Sequence, residues 1–376
     1  MHIADVLGRR HVVAAGLFLS LTRRCPLSCA HCSTNSTLHS EEHPAATFLK
    51  LAKSFTPQSH PEFMFMTGGE ALLRRATVWE LAQIARDSGT RTILITGLYF
   101  ARRHAMLPDK IAAVLRSIDH VVVSHDQFHE PEVPRAHALQ VVEQLLAAGI
   151  DVSFQLVGAG PDDPYLAGSV AAIRERFDDR VPALVAPLGA VGRGASLFDA
   201  GPAAASGSAA SAVERQATAA PCVMAAWPAV SYDGTVVACC NQDVTDGPAP
   251  DHLVLGHAAR DTWETIAERC RTRAALRAIR VYGPRFLTER SQPGCRAGGY
   301  CATCLLMGDQ PGALADAAGL ASAPAFPGVE ALLARSYEIA GPEGFSRSYG
   351  IPEYAEMVTL GHERHSGIQV ADGRNQ

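Results

Sequence analysis

The fold and the chemistry both depend on residues 16–32, GLFLSLTRRCPLSCAHC, where a short apolar run precedes three closely spaced cysteines. The run at 16–21 has the composition of a buried strand. Cys25, Cys29 and Cys32 then place three thiols on one loop directly after it. Clustered cysteines in a chain without an export signal are more often metal ligands than disulfides, so we expect this loop to bind a metal group.

Further β-rich runs follow residues 16–21 and alternate with helical patterns such as 77–86 and 135–147. This alternation is typical of parallel βαβ units, in which helices cover the sheet. We therefore predict an α/β fold, a partial (β/α)6 TIM-like barrel followed by a small hairpin-plus-helix domain that holds an auxiliary cluster. The six predicted barrel strands are residues 16–21, 62–66, 91–96, 120–124, 151–157 and 183–187.

The chain is predicted to divide near residues 195–220, which are rich in alanine, serine and glycine and have little apolar periodicity. Beyond them, Asp233-Gly234 between two β-rich runs predicts a hairpin with a two-residue turn. Asp261, with Glu264 three residues later, is predicted to cap a helix. The predicted divisions are a core at 1–195, a linker at 196–221, an auxiliary domain at 222–306 and a C-terminal extension of unassigned role at 307–376.

The overall charge is modest, since 33 lysines and arginines face 38 acidic residues, a formal net charge of −5. Neither sign forms a long run, and we expect no nucleic-acid partner. The longest apolar stretch, residues 11–21, is too short to cross a bilayer. We therefore expect a cytoplasmic protein with no membrane partner.

Three thiolates on one loop suit a cubic iron-sulfur cluster in which one iron has no protein ligand. The amino and carboxylate groups of S-adenosylmethionine (SAM) can chelate that open iron. A zinc site is the alternative, although structural zinc usually takes paired ligands at CxxC spacing and only Cys29 and Cys32 have that spacing. The spacing matches the CxxxCxΦC motif of the radical SAM superfamily, with His31 at the aromatic position, and this resemblance covers residues 16–188.

The end of the second predicted strand, Gly68-Gly69-Glu70, resembles the GGE motif of that family. A glycine pair lets backbone approach a ligand closely, and an acidic side chain can pair with an ammonium group. The resemblance implies that these residues hold the SAM amino group.

Polar or glycine residues also follow the later strands, where parallel sheets bind ligands. By the same resemblance, Ser124 or Asp126 contacts the ribose of SAM, and backbone near Val191 and Gly192 contacts the adenine. The neighbouring set His125, Asp126, His129 and Glu130 has two further interpretations, a substrate acid/base group or a solvated loop, of which we favour the loop.

A second cysteine set resembles the SPASM and twitch extensions of radical SAM enzymes, which open with a cysteine followed by GxxxxC on a hairpin. The set departs from the full SPASM pattern, because Cys295, Cys301 and Cys304 give CxxxxxCxxC with no later cysteine. A single auxiliary [4Fe-4S] cluster is therefore favoured, and Cys295 can replace one of its ligands. A zinc ribbon on the same thiolates is the alternative. The predicted ligands are Cys222, Cys239, Cys301 and Cys304.

Two cysteines are left over in this region. Cys240 follows the predicted ligand Cys239 on a predicted strand, so its side chain is expected to point to the opposite face. It is interpreted as a core thiol or as a catalytic hydrogen-atom donor. Cys270, inside the helix that starts near Asp261, is expected to be a core residue.

The resemblance implies an enzyme that reductively cleaves SAM to a 5′-deoxyadenosyl radical and abstracts hydrogen from a substrate carbon, with an electron donor such as flavodoxin or ferredoxin. The predicted outcome is oxidative crosslinking or dehydrogenation of a ribosomally synthesised peptide. Only 24 residues precede Cys25, too few for a fused peptide-recognition domain. Two alternatives remain open, a dehydrogenase or epimerase of a sugar or aminocyclitol, and a non-catalytic metal-binding scaffold.

Overall fold

A computed structural model describes residues 1–199, 220–294 and 299–365. Most of the predicted linker, residues 200–219, and Cys295 lie outside the described residues. The strands are β1 Gly16–Ser20, β2 Phe63–Thr67, β3 Arg91–Thr96, β4 His120–Ser124, β5 Val152–Gly158, β6 Ala183–Pro187, β7 Ala229–Val230, β8 Thr235–Val237 and β9 Val254–His257. Within the described ranges these strands form one sheet in the order β6-β5-β4-β3-β2-β1-β7-β8-β9.

Strands β1 to β6 are parallel neighbours in chain order, as a partial barrel requires. Each begins and ends within one residue of its predicted bounds, and the predicted α/β fold class is confirmed. The strands are apolar on both faces, which is why short uninterrupted apolar runs predicted them well. Since parallel strands point the same way, the loops after β1 to β6 all meet at one edge of the sheet.

Helices α2 to α6 lie between the barrel strands in sequence. In α3, Val78, Leu81, Ala82 and Ala85 are buried at three-and-four spacing, and Gly89 ends the helix at φ +91°. The helices are α1 Ile3–Gly8, α2 Ala45–Ala52, α3 Arg75–Ser88, α4 Asp109–Leu115, α5 Arg135–Ala147, α6 Pro164–Phe177, α7 Ser196–Asp199, α8 Gln242–Thr245, α9 Trp263–Thr272, α10 Ala274–Ser291, α11 Tyr300–Leu306, α12 Pro311–Ala321, α13 Phe326–Tyr349 and α14 His362–His365.

The second cysteine region is attached to the barrel through the sheet itself. Strand β7 runs parallel to β1, and β8 and β9 extend the sheet in antiparallel fashion. Trp227, just before β7, is fully buried and packs over Gly16, where an added Cβ would lie 2.0 Å from the indole. The indole N–H donates to the Val12 carbonyl at 2.9 Å. Gly16 is therefore required for the large side chain that joins the two parts.

Two local predictions in this region are wrong. The hairpin loop has three residues, because Ser231 already pairs with Thr235 and Gly234 takes the left-handed position at φ +95°. Asp261 does not cap α9. The cap is Thr262, whose hydroxyl accepts from the Thr265 N–H, while Asp261 accepts from His257 and pairs with Arg269.

The predicted C-terminal extension contains α12, α13 and α14. No single helix in the described part of the chain is long and apolar enough to cross a bilayer. Helices α12 and α13 pass that test only as a pair, by length and composition, and they are bent by 88° relative to each other.

Candidate active site

A cavity of about 440 Å³ lies at the carboxyl ends of the parallel strands. Cys25, Cys29 and Cys32 all line it, so the structure brings the three predicted cluster ligands together. A cavity of this size is in the range that holds one drug-sized ligand. The predicted SAM-binding residues in its wall are Gly68, Gly69, Glu70, Ser124, Asp126 and Val191.

The cysteine loop is held in place by the segment after β6. At Gly192 the backbone has φ +55°, and an added Cβ would lie 2.2 Å from the Ser33 carbonyl oxygen. Glycine is needed here both for the left-handed conformation and for the close approach. The Arg193 backbone N–H donates to the Cys32 carbonyl at 2.9 Å.

The Arg193 side chain adds two bonds to the same loop. Its Nε donates to the Cys29 carbonyl at 3.1 Å and its Nη1 to the Ser36 carbonyl at 2.7 Å. Sequence reasoning assigned the neighbouring backbone to adenine and missed this role. An arginine between two glycines at a strand end was the available signal. Its fork of N–H donors suits a loop that presents several carbonyl oxygens.

The glycine pair after β2 also serves this loop. An added Cβ at Gly68, where φ is +139°, would lie 2.3 Å from the Thr22 carbonyl oxygen, and the Gly69 N–H donates to that oxygen at 2.6 Å. The Glu70 N–H donates to the Arg24 carbonyl at 2.9 Å. The close backbone approach predicted for a ligand is thus made, in the protein itself, to the segment between β1 and the first cysteine.

Glu70 is 1% exposed, and its carboxylate ties the end of β2 to the end of β3. One oxygen accepts from the Leu72 N–H and the other from the Thr96 hydroxyl and the Gly97 N–H, all at 3.0 to 3.2 Å. Burial raises the pKa of Glu70 to about 7, against the effect of these hydrogen bonds. A carboxylate has about four acceptor sites, so it can still accept from an ammonium group.

The prediction of a solvated loop after β4 is wrong for three of its residues, because His125, Asp126 and His129 are all buried. One Asp126 oxygen lies 2.9 Å from Nδ1 of His129, and the other lies 3.1 Å from Nε2 of His31. Burial alone would raise the pKa of Asp126, but these two imidazoles outweigh it and lower the pKa far below its ordinary value. Asp126 is therefore occupied by histidines, which leaves Ser124 as the better candidate for the ribose.

His129 connects this carboxylate to the cysteine loop. Burial would lower the pKa of His129, but hydrogen bonds with Asp126 and the Cys29 thiol raise it to about 10. His31 stacks on Phe128, with ring centroids 4.6 Å apart. The ligating atoms of His31, Asp126 and His129 lie within 4.8 Å of one another, close enough to hold a metal ion as well. Within the group a hydrogen bond joins His129 to Asp126, whereas Nδ1 of His31 and Oδ2 of Asp126 have no hydrogen-bond partner among the described residues.

A second cavity, of about 470 Å³, is lined by all four predicted auxiliary ligands, Cys222, Cys239, Cys301 and Cys304. Burial raises the pKa of the Cys239 and Cys304 thiols well above the ordinary value, and the neighbouring thiols of the set raise it further. A positively charged metal group would relieve both effects, because thiols bind metals in the deprotonated form. The donor set therefore fits a metal cluster.

Four thiolates can bind either a zinc ion or an iron-sulfur cluster, so the zinc ribbon remains the alternative at the second set.

The strand on which Cys239 and Cys240 were predicted to lie is shorter than expected. Strand β8 ends at Val237, so Cys239 lies in a bend and Cys240 lies outside any helix or strand, and both line the second cavity. The alternation of side chains that holds along a strand does not apply to them. Cys270 is fully buried, as predicted for a core residue, and its thiol lies 3.6 Å from the Ala226 carbonyl oxygen.

Comparison with known proteins finds a similarity in the N-terminal part of the chain. The model of the Radical SAM superfamily matches residues 19–164. No protein of curated function matches the chain.

Among solved structures, BtrN in complex with AdoMet and 2-DOIA is 15% identical at a TM-score of 0.42, with 68% of this chain and 83% of BtrN covered. Native anSMEcpe with bound AdoMet and the Kp18Cys peptide is 13% identical at a TM-score of 0.47, with 85% of this chain and 99% of that chain covered. Streptococcus suis SuiB bound to precursor peptide SuiA is 11% identical at a TM-score of 0.44, with 65% of this chain and 64% of SuiB covered.

Proposed function

We propose that this chain is a radical SAM enzyme that oxidises a substrate carbon by SAM-dependent hydrogen abstraction, a proposal supported by the match of residues 19–164 to the Radical SAM superfamily model. Cys25, Cys29 and Cys32 would hold the SAM-binding [4Fe-4S] cluster in the first cavity. The cluster and SAM, when bound, supply a 5′-deoxyadenosyl radical, with the electron coming from a donor such as flavodoxin or ferredoxin. The scaffold alternative is disfavoured, because the cavity joins the thiols to the complete Gly68-Gly69-Glu70 sequence.

The residues of the chain would bind and orient SAM. The Glu70 carboxylate faces the cavity at the end of β2 and would accept from the SAM ammonium group. Ser124, in the cavity wall at the end of β4, would bond to the ribose. The backbone at Val191, also in the wall, would contact the adenine, while the next residue, Gly192, packs against the cysteine loop. Arg193 would keep the cysteine loop in one conformation, so that the bound sulfonium has a fixed place.

The positions of the cysteines in the two cavities favour oxidation of the substrate over epimerisation. Epimerisation needs a hydrogen-atom donor beside the substrate radical. In the described part of the chain, the cysteines that line the first cavity are the three cluster ligands, and Cys240 lines the second cavity. Pro187 lines both cavities, so an auxiliary [4Fe-4S] cluster on Cys222, Cys239, Cys301 and Cys304 would be placed to accept an electron from the substrate radical.

We propose a ribosomally synthesised peptide as the substrate, modified by crosslinking or dehydrogenation. The first cavity must hold the cluster and SAM as well as the reacting group, and its volume of about 440 Å³ leaves room for a small group rather than a folded segment. The same volume favours a second candidate, a sugar or aminocyclitol that enters whole. The peptide would leave most of its length outside the cavity.

The experiment that tests the function is isotope transfer into 5′-deoxyadenosine. Protein reconstituted without oxygen is given reductant, SAM and a deuterated candidate, either a precursor peptide or a cyclic sugar alcohol. Deuterium in 5′-deoxyadenosine with the peptide alone supports the peptide proposal, and deuterium with the sugar alone replaces it by the second candidate. The C25A/C29A/C32A variant is the matched control and should form no 5′-deoxyadenosine. A reducible, fully loaded parent protein that also forms none would contradict hydrogen abstraction.

A further inference from the structure

Arg10 is a buried cation at the junction between the barrel and the second cysteine region. It is 3% exposed, and it lies in the turn between α1 and β1. Its guanidinium carbon lies 4.5 Å from the ring centroid of Trp227 and 5.3 Å from that of Phe18. These two aromatic rings fix the plane of the guanidinium and direct its nitrogens away from solvent.

The guanidinium has no acidic partner among the described residues. Its Nη2 donates to the Cys240 sulfur at 3.7 Å, and its Nη1 is buried with no hydrogen-bond partner. In the described ranges no Asp or Glu oxygen lies within 4.0 Å of Arg10. Since arginine carries its charge at every working pH, an unpaired buried guanidinium is costly and is seldom kept without a counterion.

The sulfur that accepts from Arg10 belongs to the second cavity. Cys240 lines that cavity together with the four predicted auxiliary ligands, and it directly follows one of them, Cys239, in the chain. A cluster held by four thiolates carries net negative charge, and its reduction potential depends on nearby charge and on hydrogen bonds to sulfur.

We propose that Arg10 is the countercharge of the auxiliary cluster, so that the unpaired guanidinium of the metal-free protein is neutralised when the cluster binds. Arg10 acts as a positioning residue that makes the cluster a better electron acceptor. Cys240 accepts the guanidinium hydrogen bond beside the cluster. This inference rests on the auxiliary cluster of the proposed function.

A charge role and a packing role of Arg10 predict different effects of its replacement. If Arg10 only packs between Trp227 and Phe18, its loss weakens the metal-free and the loaded protein alike. If Arg10 neutralises the cluster, R10M relieves an unpaired charge in the metal-free protein and removes the counterion in the loaded protein. The sign of the effect on thermal unfolding should then differ between the two forms.

The test measures the midpoint of thermal unfolding of metal-free and reconstituted full-length protein, and the auxiliary reduction potential by EPR-monitored titration. We expect R10M to unfold no lower than the parent when metal-free, but lower than the parent when loaded. Its auxiliary potential should become more negative, while that of the SAM-binding cluster stays unchanged. R10K, which keeps the charge, should shift the potential less. The control is R91M, which removes an arginine stacked on Phe63 at 4.4 Å and should leave both potentials unchanged.

Two results would overturn the inference. The first is an equal loss of thermal stability in both forms of R10M with the potential of the loaded protein unchanged. The second is an R10K potential equal to that of R10M, which remains measurable if R10M proves too unstable when metal-free. A parent protein that loads iron only at the N-terminal cysteines would instead remove the auxiliary cluster from the proposed function, and the role of Arg10 with it.

Discussion

Replacing Arg193 tests whether the segment after β6 holds the cysteine loop ready for a cluster. R193M keeps most of the side-chain length but removes the bonds to the carbonyls of Cys29 and Ser36, at 3.1 and 2.7 Å. The backbone bond from residue 193 to the Cys32 carbonyl remains, since it does not depend on the side chain. The change therefore loosens the loop without unfolding the barrel.

The magnitude follows from the two lost bonds. A hydrogen bond from a charged donor contributes about 1.5–3 kcal/mol, which gives about 3–6 kcal/mol for two. The side chain is half-buried, and the contributions of two bonds from one side chain are seldom additive. We therefore expect R193M to lower the stability of the closed loop by about 2–4 kcal/mol. This corresponds to a roughly 30- to 700-fold weaker binding of the cluster.

The assay is the transfer of iron from reconstituted protein to a chelator under oxygen-free conditions. In R193M, about half of the iron should leave quickly, and the remainder, at the auxiliary cysteines, should leave at the parent rate. The matched control is R135M, since Arg135 is also half-buried but bonds to Ser169 away from the loop. Equal iron release from R193M and R135M would refute the role of Arg193.

Three further predictions concern the same two sites. G192A puts a Cβ 2.2 Å from the Ser33 carbonyl oxygen at a residue with φ +55°. It should lower the free energy of unfolding by about 2 kcal/mol or more and reduce iron loading at the N-terminal cysteines only. Normal iron loading of G192A would contradict this prediction. Because burial raises the pKa of Glu70 to about 7, its protonated fraction grows as the pH falls below that value, so equilibrium dialysis should show weaker SAM binding at pH 6 than at pH 8. E70Q should bind SAM weakly at both values, and a pH-dependent E70Q would disprove the assignment. In iron analysis, C239A should lose about half of the iron and C240A almost none; the reverse order would exchange their roles.

The barrel was predictable from the sequence because its strands are buried on both faces. Such strands appear as short apolar runs, and the runs at 91–96 and 183–187 match their strands at both ends. Sequence spacing also sufficed to group Cys25, Cys29 and Cys32, since three thiols within eight residues of one loop can reach the same metal group. Glu70 was placed in the cavity by its position at a strand end.

The contacts between distant segments were not predictable in this way. Asp126 appeared free in the sequence, yet it is paired with His31, which lies 95 positions earlier. The role of Arg193 depends on carbonyl oxygens of the cysteine loop, and backbone acceptors leave no mark in a sequence. Cys240 was misplaced because strand β8 ends earlier than its apolar pattern does, so the alternation rule was applied outside the strand.

The most direct test of the central claim is the EPR spectrum of the N-terminal cluster before and after SAM is added. The C222A/C239A/C301A/C304A variant, reconstituted and reduced without oxygen, would retain only the cluster on Cys25, Cys29 and Cys32. A changed spectrum on addition of SAM is predicted, because the cofactor binds the iron that lacks a protein ligand. A spectrum unaffected by saturating SAM would show that this iron is not open to the cofactor, and would contradict the assignment.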